Sequence, residues 1–174
     1  MAMRILAISG SLRAQSTNTA LQRATALIAP PHIDVILYGE METLPPFNPD
    51  LDVDSGPEPV ARFRTALRHS DAVVVSTPEY AHGIPGSLKN ALDWIVGSGE
   101  LSAKPVALFN ASARGEYAQA SLREILKTMD ARLLSDLEIT IPLLGKSFDA
   151  SEIAANPTFA DPIRTSLQKI EGSL

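Results

Sequence analysis

An uninterrupted apolar run at residues 72–75 ends in a polar turn that begins with Pro78. A run without polar residues is typical of a strand covered on both faces, as in a parallel sheet. Pro78 fixes its own φ and biases Thr77 towards an extended conformation. A buried strand that stops at such a turn and leads into a helix is typical of α/β proteins, which bind ligands where strands end.

Strand and helix patterns alternate along the 174 residues. Consecutive parallel strands need right-handed helical crossovers, so this alternation predicts an α/β fold with a doubly wound parallel sheet and helices on both faces. Neither a repeat nor a linker interrupts it, and a single domain over residues 1–174 is expected. The patterns predict five strands, at residues 4–9, 33–38, 72–77, 105–109 and 138–144, and helices within 20–28, 60–67, 86–96, 117–129 and 163–170.

The long segment 39–59 is rich in proline and predicts a loop, of a length that is usually functional or mobile. Its three aspartates, Asp50, Asp52 and Asp54, lack the glycine and distal glutamate of an EF-hand, and we interpret them as a solvated loop. The three histidines are not at metal-ligand spacing. No metal site is predicted.

The net charge of −5 does not favour a nucleic acid or an anionic membrane as partner, since both need a basic surface. The chain has no cysteine and therefore neither a disulfide nor a thiolate nucleophile. No apolar run approaches the roughly 20 residues of a membrane span. A cytoplasmic protein is expected.

The loop after the first strand has the composition of a phosphate site. Backbone N–H groups and the dipole of the following helix attract an anion. Ser11, Ser16, Thr17 and Asn18 can add side-chain donors, and Arg13 can add charge and a bidentate fork. One of Ser16, Thr17 and Asn18 could instead only cap the helix. Neither nucleotide-binding glycine motif is present, which argues against a dinucleotide Rossmann site or an ATP P-loop.

The two polar loops fall at strand ends that can be neighbours. In a sheet of order 2-1-3-4-5 the first and third strands lie side by side, and the chain reverses direction between them. A crevice then forms between residues 10–18 and residues 78–83. Flavodoxin, which binds FMN at this point, is the standard example of the rule, so the association with FMN is not a deduction from this chain.

Two motifs taken together resemble the NADPH-dependent FMN reductase family, the flavodoxin-like group that includes bacterial chromate, quinone and azo-dye reductases. They are Gly10-Ser11-Leu12-Arg13-x-x-Ser16-x-Asn18 and Pro78-Glu79-Tyr80, the latter followed by Pro85-Gly86-x-Leu88-Lys89-Asn90-x-x-Asp93-Trp94. The similarity in element order covers nearly the whole chain up to the last helix. The resemblance implies FMN at the switch point, NADPH or NADH as co-substrate, and a homodimer or homotetramer.

The resemblance also implies site residues. Ser11, Arg13, Ser16 and Asn18 match the family's phosphate-binding positions, and Pro78, Glu79 and Tyr80 match the turn along the isoalloxazine ring. Many relatives have Asn after the tyrosine, whereas Ala81 and His82 follow here, so a side-chain donor is lost although a backbone N–H remains. We extend the predicted contacts to Thr17, Ala81, His82 and Gly83, and to Ser112 in the turn after the fourth strand.

The predicted chemistry belongs to the flavin, and no catalytic side chain is assigned. The protein must hold the ring, leave one face open, and stabilise negative charge near N1 and O2 of the reduced ring. His82 is equally consistent with lining the site and with plain loop packing. Glu79 and Tyr80 are expected near the ring, and the helix from Pro85 to Trp94 is expected to serve structure and subunit contact.

The sequence therefore predicts an FMN-dependent NAD(P)H oxidoreductase that passes electrons to free flavin, quinones or similar small acceptors. The main alternative is a flavodoxin-like electron carrier or flavin-binding regulator without NAD(P)H activity of its own. A nucleotide-binding enzyme unrelated to flavin is a second alternative. The sequence leaves open the physiological acceptor, the choice between NADH and NADPH, and whether Arg114 meets a 2′-phosphate.

Overall fold

The computed structural model describes residues 2–143 and 148–174 and has a parallel sheet at its centre. The strands pair in the order β2-β1-β3-β4-β5, and β6 also pairs with β4. The predicted α/β fold and strand order are confirmed. The strands are β1 (Met3–Ser9), β2 (Ile33–Leu37), β3 (Ala72–Ser76), β4 (Pro105–Asn110), β5 (Arg132–Leu133) and β6 (Ile139–Thr140).

Helices cover both faces of the sheet. One apolar cluster joins the sheet to α2, α3 and α4, and a second joins it to α1, α5 and α6. Their bounds are α1 (Thr17–Ile28), α2 (Glu58–Arg68), α3 (Gly86–Asp93), α4 (Glu116–Thr128), α5 (Ala150–Ala155) and α6 (Pro157–Glu171).

The apolar run in β3 is explained by these two clusters. Val74 packs against the α1–α5–α6 side, whereas Val73 and Val75 pack against the α2–α3–α4 side. Successive side chains of a strand point to opposite faces, so a strand covered on both faces has no position for a polar residue.

The edge of the sheet differs from the prediction. We expected one strand at residues 138–144, but two short pieces flank a 3-10 turn, Ser135–Leu137. Leu133 pairs with Val106 and Ile139 pairs with Phe109, both in parallel. Ser and Asp are turn formers, and Ser135 and Asp136 interrupt the apolar pattern here. Residue 144 lies outside the described residues.

The long loop between β2 and α2 is fastened to α3. Asn90 donates from Nδ2 to the carbonyl of Pro45 (2.9 Å) and accepts at Oδ1 from the backbone N–H of Phe47 (2.7 Å). Trp94 is fully buried and donates its indole N–H to the same Pro45 carbonyl (2.8 Å). Trp94 therefore belongs to the core of this chain, and Lys89 and Asp93, one turn apart on α3, form an ion pair at 2.6 Å.

The same loop is also anchored by a buried arginine. Arg64 donates to the carboxylate of Asp52 (2.8 Å) and to the carbonyl of Trp94 (2.5 Å). Asp52 is thus an ion-pair partner and not a solvated residue. The loop contains two 3-10 turns, Met41–Thr43 and Pro49–Leu51, and its last predicted residues, 58 and 59, begin α2.

The short helix α5 was not predicted. Its first turn is closed by a capping box in which Asp149 accepts from the N–H of Glu152, and the Glu152 carboxylate accepts from the N–H of Asp149, both at 2.8 Å. The Asp-x-x-Glu spacing is a signal for a helix start that could have located it. None of the helices among the described residues combines the length and the apolar character that a membrane span requires.

Candidate functional site

A cleft of about 1080 Å³ opens beside the residues that follow β1, β3 and β4. The start of α5 completes its wall. Because the carboxyl ends of parallel strands meet at one edge of a sheet, this is the switch-point position predicted from the strand order. The predicted site residues that line it are Ser11, Arg13, Ser16, Thr17, Asn18, Pro78, Glu79, Tyr80 and Ser112.

The loops after β1 and β3 are held side by side at Gly10. The last residues of the two strands, Ser9 and Ser76, pair in register, and the N–H of Gly10 donates to the Ser76 carbonyl at 2.8 Å. A Cβ on Gly10 would lie 2.5 Å from Oγ1 of Thr77. Glycine is therefore required for this close approach.

The N-terminus of α1 faces the cleft. Ser16 is its N-cap, and its hydroxyl accepts from the N–H of Thr19 at 3.2 Å, so the capping role considered for this residue is present. The N–H groups of Thr17 and Asn18 begin the helix and have no intrahelical partner. Free N–H groups and a positive helix end make this position suited to a phosphate or another anion.

Side chains around α1 add a positive field. Arg13, Arg23 and Arg114 line the cleft, and in the part of the chain that the structure describes none of them forms an ion pair. The two carboxylates of the lining, Glu79 and Asp149, each accept from a backbone N–H near a helix start. The cleft is thus cationic although the chain carries a net charge of −5.

The turn after β3 is a tight two-residue hairpin. Tyr80 and Gly83 exchange both backbone hydrogen bonds at 3.0 Å, and the two residues between them have positive φ, 49° at Ala81 and 59° at His82. This is the geometry of a type I′ turn, for which Asn and Gly are the preferred residues. Ala and His at these positions are strained, because a Cβ disfavours the left-handed region.

Two contacts brace this turn against α4. The Glu79 carboxylate accepts from the N–H of Ala118 at 2.9 Å. The His82 ring stacks on Tyr117 with centroids 4.2 Å apart and an interplanar angle of 5°. Ala81, His82 and Gly83 themselves are not among the residues that line the cleft. The structure therefore separates the predicted set into residues at the cleft and residues that shape the turn.

The loop after β4 closes the third side of the cleft. Asn110 accepts at Oδ1 from the N–H of Ser112 (3.1 Å), and the Ser112 hydroxyl accepts from the N–H of Arg114 (3.1 Å). The Ser112 side chain is thus used, at least in part, to shape its own loop, which presents Arg114 to the cleft.

Several lining residues were missed in the sequence. Gln15 and Asn110 belong to loops already suspected, and Arg23 lies on the predicted first helix, but nothing in their local pattern marks which side chains face the cleft. Residues 148–151 were missed because α5 was missed, and the capping box was the signal that could have located them.

Comparison with known proteins gives one consistent family. Residues 3–143 match the family model described as NADPH-dependent FMN reductase. An NAD(P)H-dependent FMN reductase of Pseudomonas aeruginosa is 36% identical over 97% of this chain and 94% of its own length. A quinone reductase of Escherichia coli is 32% identical over 78% of this chain and 76% of its own length. Among solved structures, the flavoenzyme NAD(P)H:(acceptor) oxidoreductase FerB of Paracoccus denitrificans superimposes with a TM-score of 0.77 at 27% identity, covering 98% of both chains.

Proposed function

The chain belongs to the NADPH-dependent FMN reductase family, and from this premise we propose that the cleft at the ends of β1, β3 and β4 holds FMN in a flavin-dependent NAD(P)H oxidoreductase. The reaction passes electrons to small acceptors such as free flavin and quinones. The observation that carries the proposal is the junction of the α1 N-terminus and the turn after β3 in one cationic cleft at the topological switch point.

The residues present fit FMN. A phosphate monoester needs several donors and positive charge, and the helix start with Arg13, Ser11 and Asn18 offers both. The close approach at Gly10 brings the loops after β1 and β3 together. The volume of the cleft, about 1080 Å³, lies just above the range of small-molecule sites, about 300–1,000 Å³.

The chemistry that bound FMN supplies is two-electron transfer from the nicotinamide to the acceptor. The chain's own residues bind and orient. We assign the phosphate end to Ser11, Arg13, Ser16, Thr17 and Asn18, and the ring end to Pro78, Glu79, Tyr80 and Ser112. Arg114, in the loop after β4, would stabilise negative charge on the ring when it is reduced.

The turn residues Ala81, His82 and Gly83 keep a role at the ring in this proposal, through the shape of the turn. The tyrosine that begins the turn is 54% exposed at the cleft mouth. A half-exposed aromatic ring there suits a planar nicotinamide or quinone that arrives from solvent.

We further propose that the chain acts as one FMN-binding domain in the cytoplasm, where NAD(P)H is available, and that it assembles as a homodimer or homotetramer. The family resemblance supports the assembly. Sedimentation velocity of the FMN-loaded protein measures the oligomeric state. A monomer at all protein concentrations would contradict the proposed assembly.

Steady-state turnover tests the proposed function. The FMN-loaded protein is expected to oxidise NADPH or NADH with a quinone, ferricyanide or free flavin as acceptor. An FMN-binding protein that oxidises neither nucleotide with any of these acceptors would instead be the carrier or regulator considered above.

A further inference from the structure

Buried and half-buried polar side chains fasten the first two turns of α1 to the ends of β1 and β3. The Ser76 hydroxyl donates to Oδ1 of Asn18 at 2.7 Å, and the hydroxyls of Ser9 and Thr19 are 2.8 Å apart. One turn further along, Gln22 donates from Nε2 to a carbonyl of each strand, Ile8 of β1 (3.4 Å) and Val74 of β3 (3.3 Å). We call Ser9, Asn18, Thr19, Gln22 and Ser76 the polar seam.

The polar seam connects the two strands that define the switch point. Ser9 and Ser76 are the last residues of β1 and β3 and pair in register, and each bonds one of two consecutive residues of α1. Ser76 and Gln22 are fully buried. The helix is therefore held against rotation and sliding by directional bonds as well as by its apolar face.

A polar seam is a costly way to pack a helix. Elsewhere α1 packs with Leu21, Ala24 and Ile28, which need no partners. Oε1 of Gln22 is buried and has no hydrogen-bond partner among the described residues, which carries a desolvation cost. Satisfied buried polar contacts instead fix one arrangement of the elements they join.

The contacts of the polar seam fix the position of the first turn of α1, which lies at the phosphate end of the cleft. With Oδ1 of Asn18 occupied by Ser76, the amide nitrogen is the part of this side chain that can donate into the cleft. The N–H groups of Thr17 and Asn18 move with the same helix turn. Hydrogen bonds to an anion weaken steeply with misalignment, so the position of this turn sets how well a phosphate is held.

We propose that the polar seam orients the N-terminus of α1 for a phosphate and thereby makes the cleft select FMN over riboflavin. The inference rests on the proposed function, since it takes the α1 end of the cleft as the phosphate site. Ser9, Ser76 and Gln22 do not line the cleft and act as positioning residues through Asn18 and the helix start.

Titration of the flavin-free protein with FMN and with riboflavin tests this, because the two ligands differ only in the phosphate. Ser76→Ala is expected to weaken FMN binding about tenfold, corresponding to one hydrogen bond, and to leave riboflavin binding within about twofold. Ser9→Ala is also expected to weaken FMN binding more than riboflavin binding. It provides the test if Ser76→Ala does not fold.

Thr25→Val is the matched control. Thr25 is a fully buried hydroxyl residue on the same helix, but among the described residues its Oγ1 donates to the Leu21 carbonyl of α1 itself, at 2.9 Å. The Thr25→Val protein is expected to prefer FMN over riboflavin as strongly as the unaltered protein does. An unchanged preference in Ser76→Ala and Ser9→Ala, or equal losses for both ligands, would overturn the inference. Failure of the unaltered protein to bind FMN at all would instead refute the proposed function.

Discussion

The Glu79 carboxylate accepts a hydrogen bond from the backbone N–H of Ala118 at 2.9 Å and so ties the turn after β3 to the N-terminus of α4. Gly115, the N-cap of that helix, has no side chain to do this. A carboxylate at a helix N-terminus satisfies a free N–H and interacts favourably with the helix dipole. One side chain therefore caps α4 and fixes the turn that is assigned to the flavin ring.

Removing this cap is expected to destabilise the protein. Glu79→Ala loses the hydrogen bond and the dipole interaction together, so the free energy of unfolding should fall by about 1–2 kcal/mol in urea denaturation. Glu116→Ala is the control, because Glu116 is an acidic residue of the same first turn whose side chain makes no such bond to the turn after β3. Glu116→Ala should lower the free energy of unfolding by less than about 1 kcal/mol. Equal losses in the two variants would contradict the capping role.

The strained turn gives a prediction of opposite sign. Ala81 has a φ of 49°, and a left-handed residue with a Cβ costs roughly 1–2 kcal/mol, whereas the extra chain entropy of glycine costs about 0.5–1 kcal/mol. Ala81→Gly should therefore leave the free energy of unfolding unchanged or raise it by up to about 1.5 kcal/mol. Ala113→Gly, in the loop after β4 and without a positive φ, should lower it. Clear destabilisation by Ala81→Gly would show that the turn is not strained.

Arg13 is expected to bind the phosphate through its charge. Arg13→Gln should weaken FMN binding by at least about tenfold, the loss of a charged hydrogen bond, and should make the affinity less dependent on salt. Riboflavin binding should change little. Arg132→Gln changes the net charge equally but lies on β5, outside the cleft lining, and should leave both affinities unchanged. A riboflavin affinity that falls in parallel with the FMN affinity would contradict a phosphate contact.

The protein is expected to lose stability at high pH because of Tyr38, which lies just after β2. Burial, reinforced by the nearby Glu40 carboxylate, raises the pKa of Tyr38 to about 12 from its usual 10.0. The unfolded chain releases this proton first, so the stabilising contribution is complete below about pH 10 and is lost as the pH rises through about 12.

Tyr38→Phe should therefore flatten the fall in the free energy of unfolding between about pH 10 and 12. The Tyr38 hydroxyl is buried without a hydrogen-bond partner among the described residues, so its removal should also be neutral or stabilising at pH 7. Urea denaturation at a series of pH values measures both effects, with Tyr80→Phe, an exposed phenol, as control. If the free energy of unfolding of Tyr38→Phe fell between about pH 10 and 12 as it does in the unaltered protein, another group would be responsible for the fall.

The parts of the fold that follow from local pattern were predictable from the sequence. The apolar run of β3 and the helical spacing in α4 are periodic over short stretches, and the polar loops that follow β1 and β3 are visible as composition. Strand order then brings those loops together and predicts a ligand site between them, whereas FMN itself was implied by the family resemblance of the two motifs.

The parts that depend on distant contacts were not predictable. Glu79 and Ala118 lie 39 residues apart, and the stacking of His82 on Tyr117 joins a turn to a different helix. The sheet edge was mispredicted because two-residue strands carry too little pattern to be distinguished from a loop. The polar seam was not predicted either. Gln22 looks like an ordinary helix residue, and the bond of Asn18 to Ser76, 58 residues away, has no local pattern.

The visible absorption spectrum of the protein, recorded without oxygen before and after addition of NADPH and then of NADH, tests the central claim most directly. The account predicts that the FMN-loaded protein shows oxidised flavin bands, that at least one of the two nucleotides bleaches them, and that a quinone restores them. A colourless protein that takes up no FMN, or flavin bands that neither nucleotide changes, would contradict it.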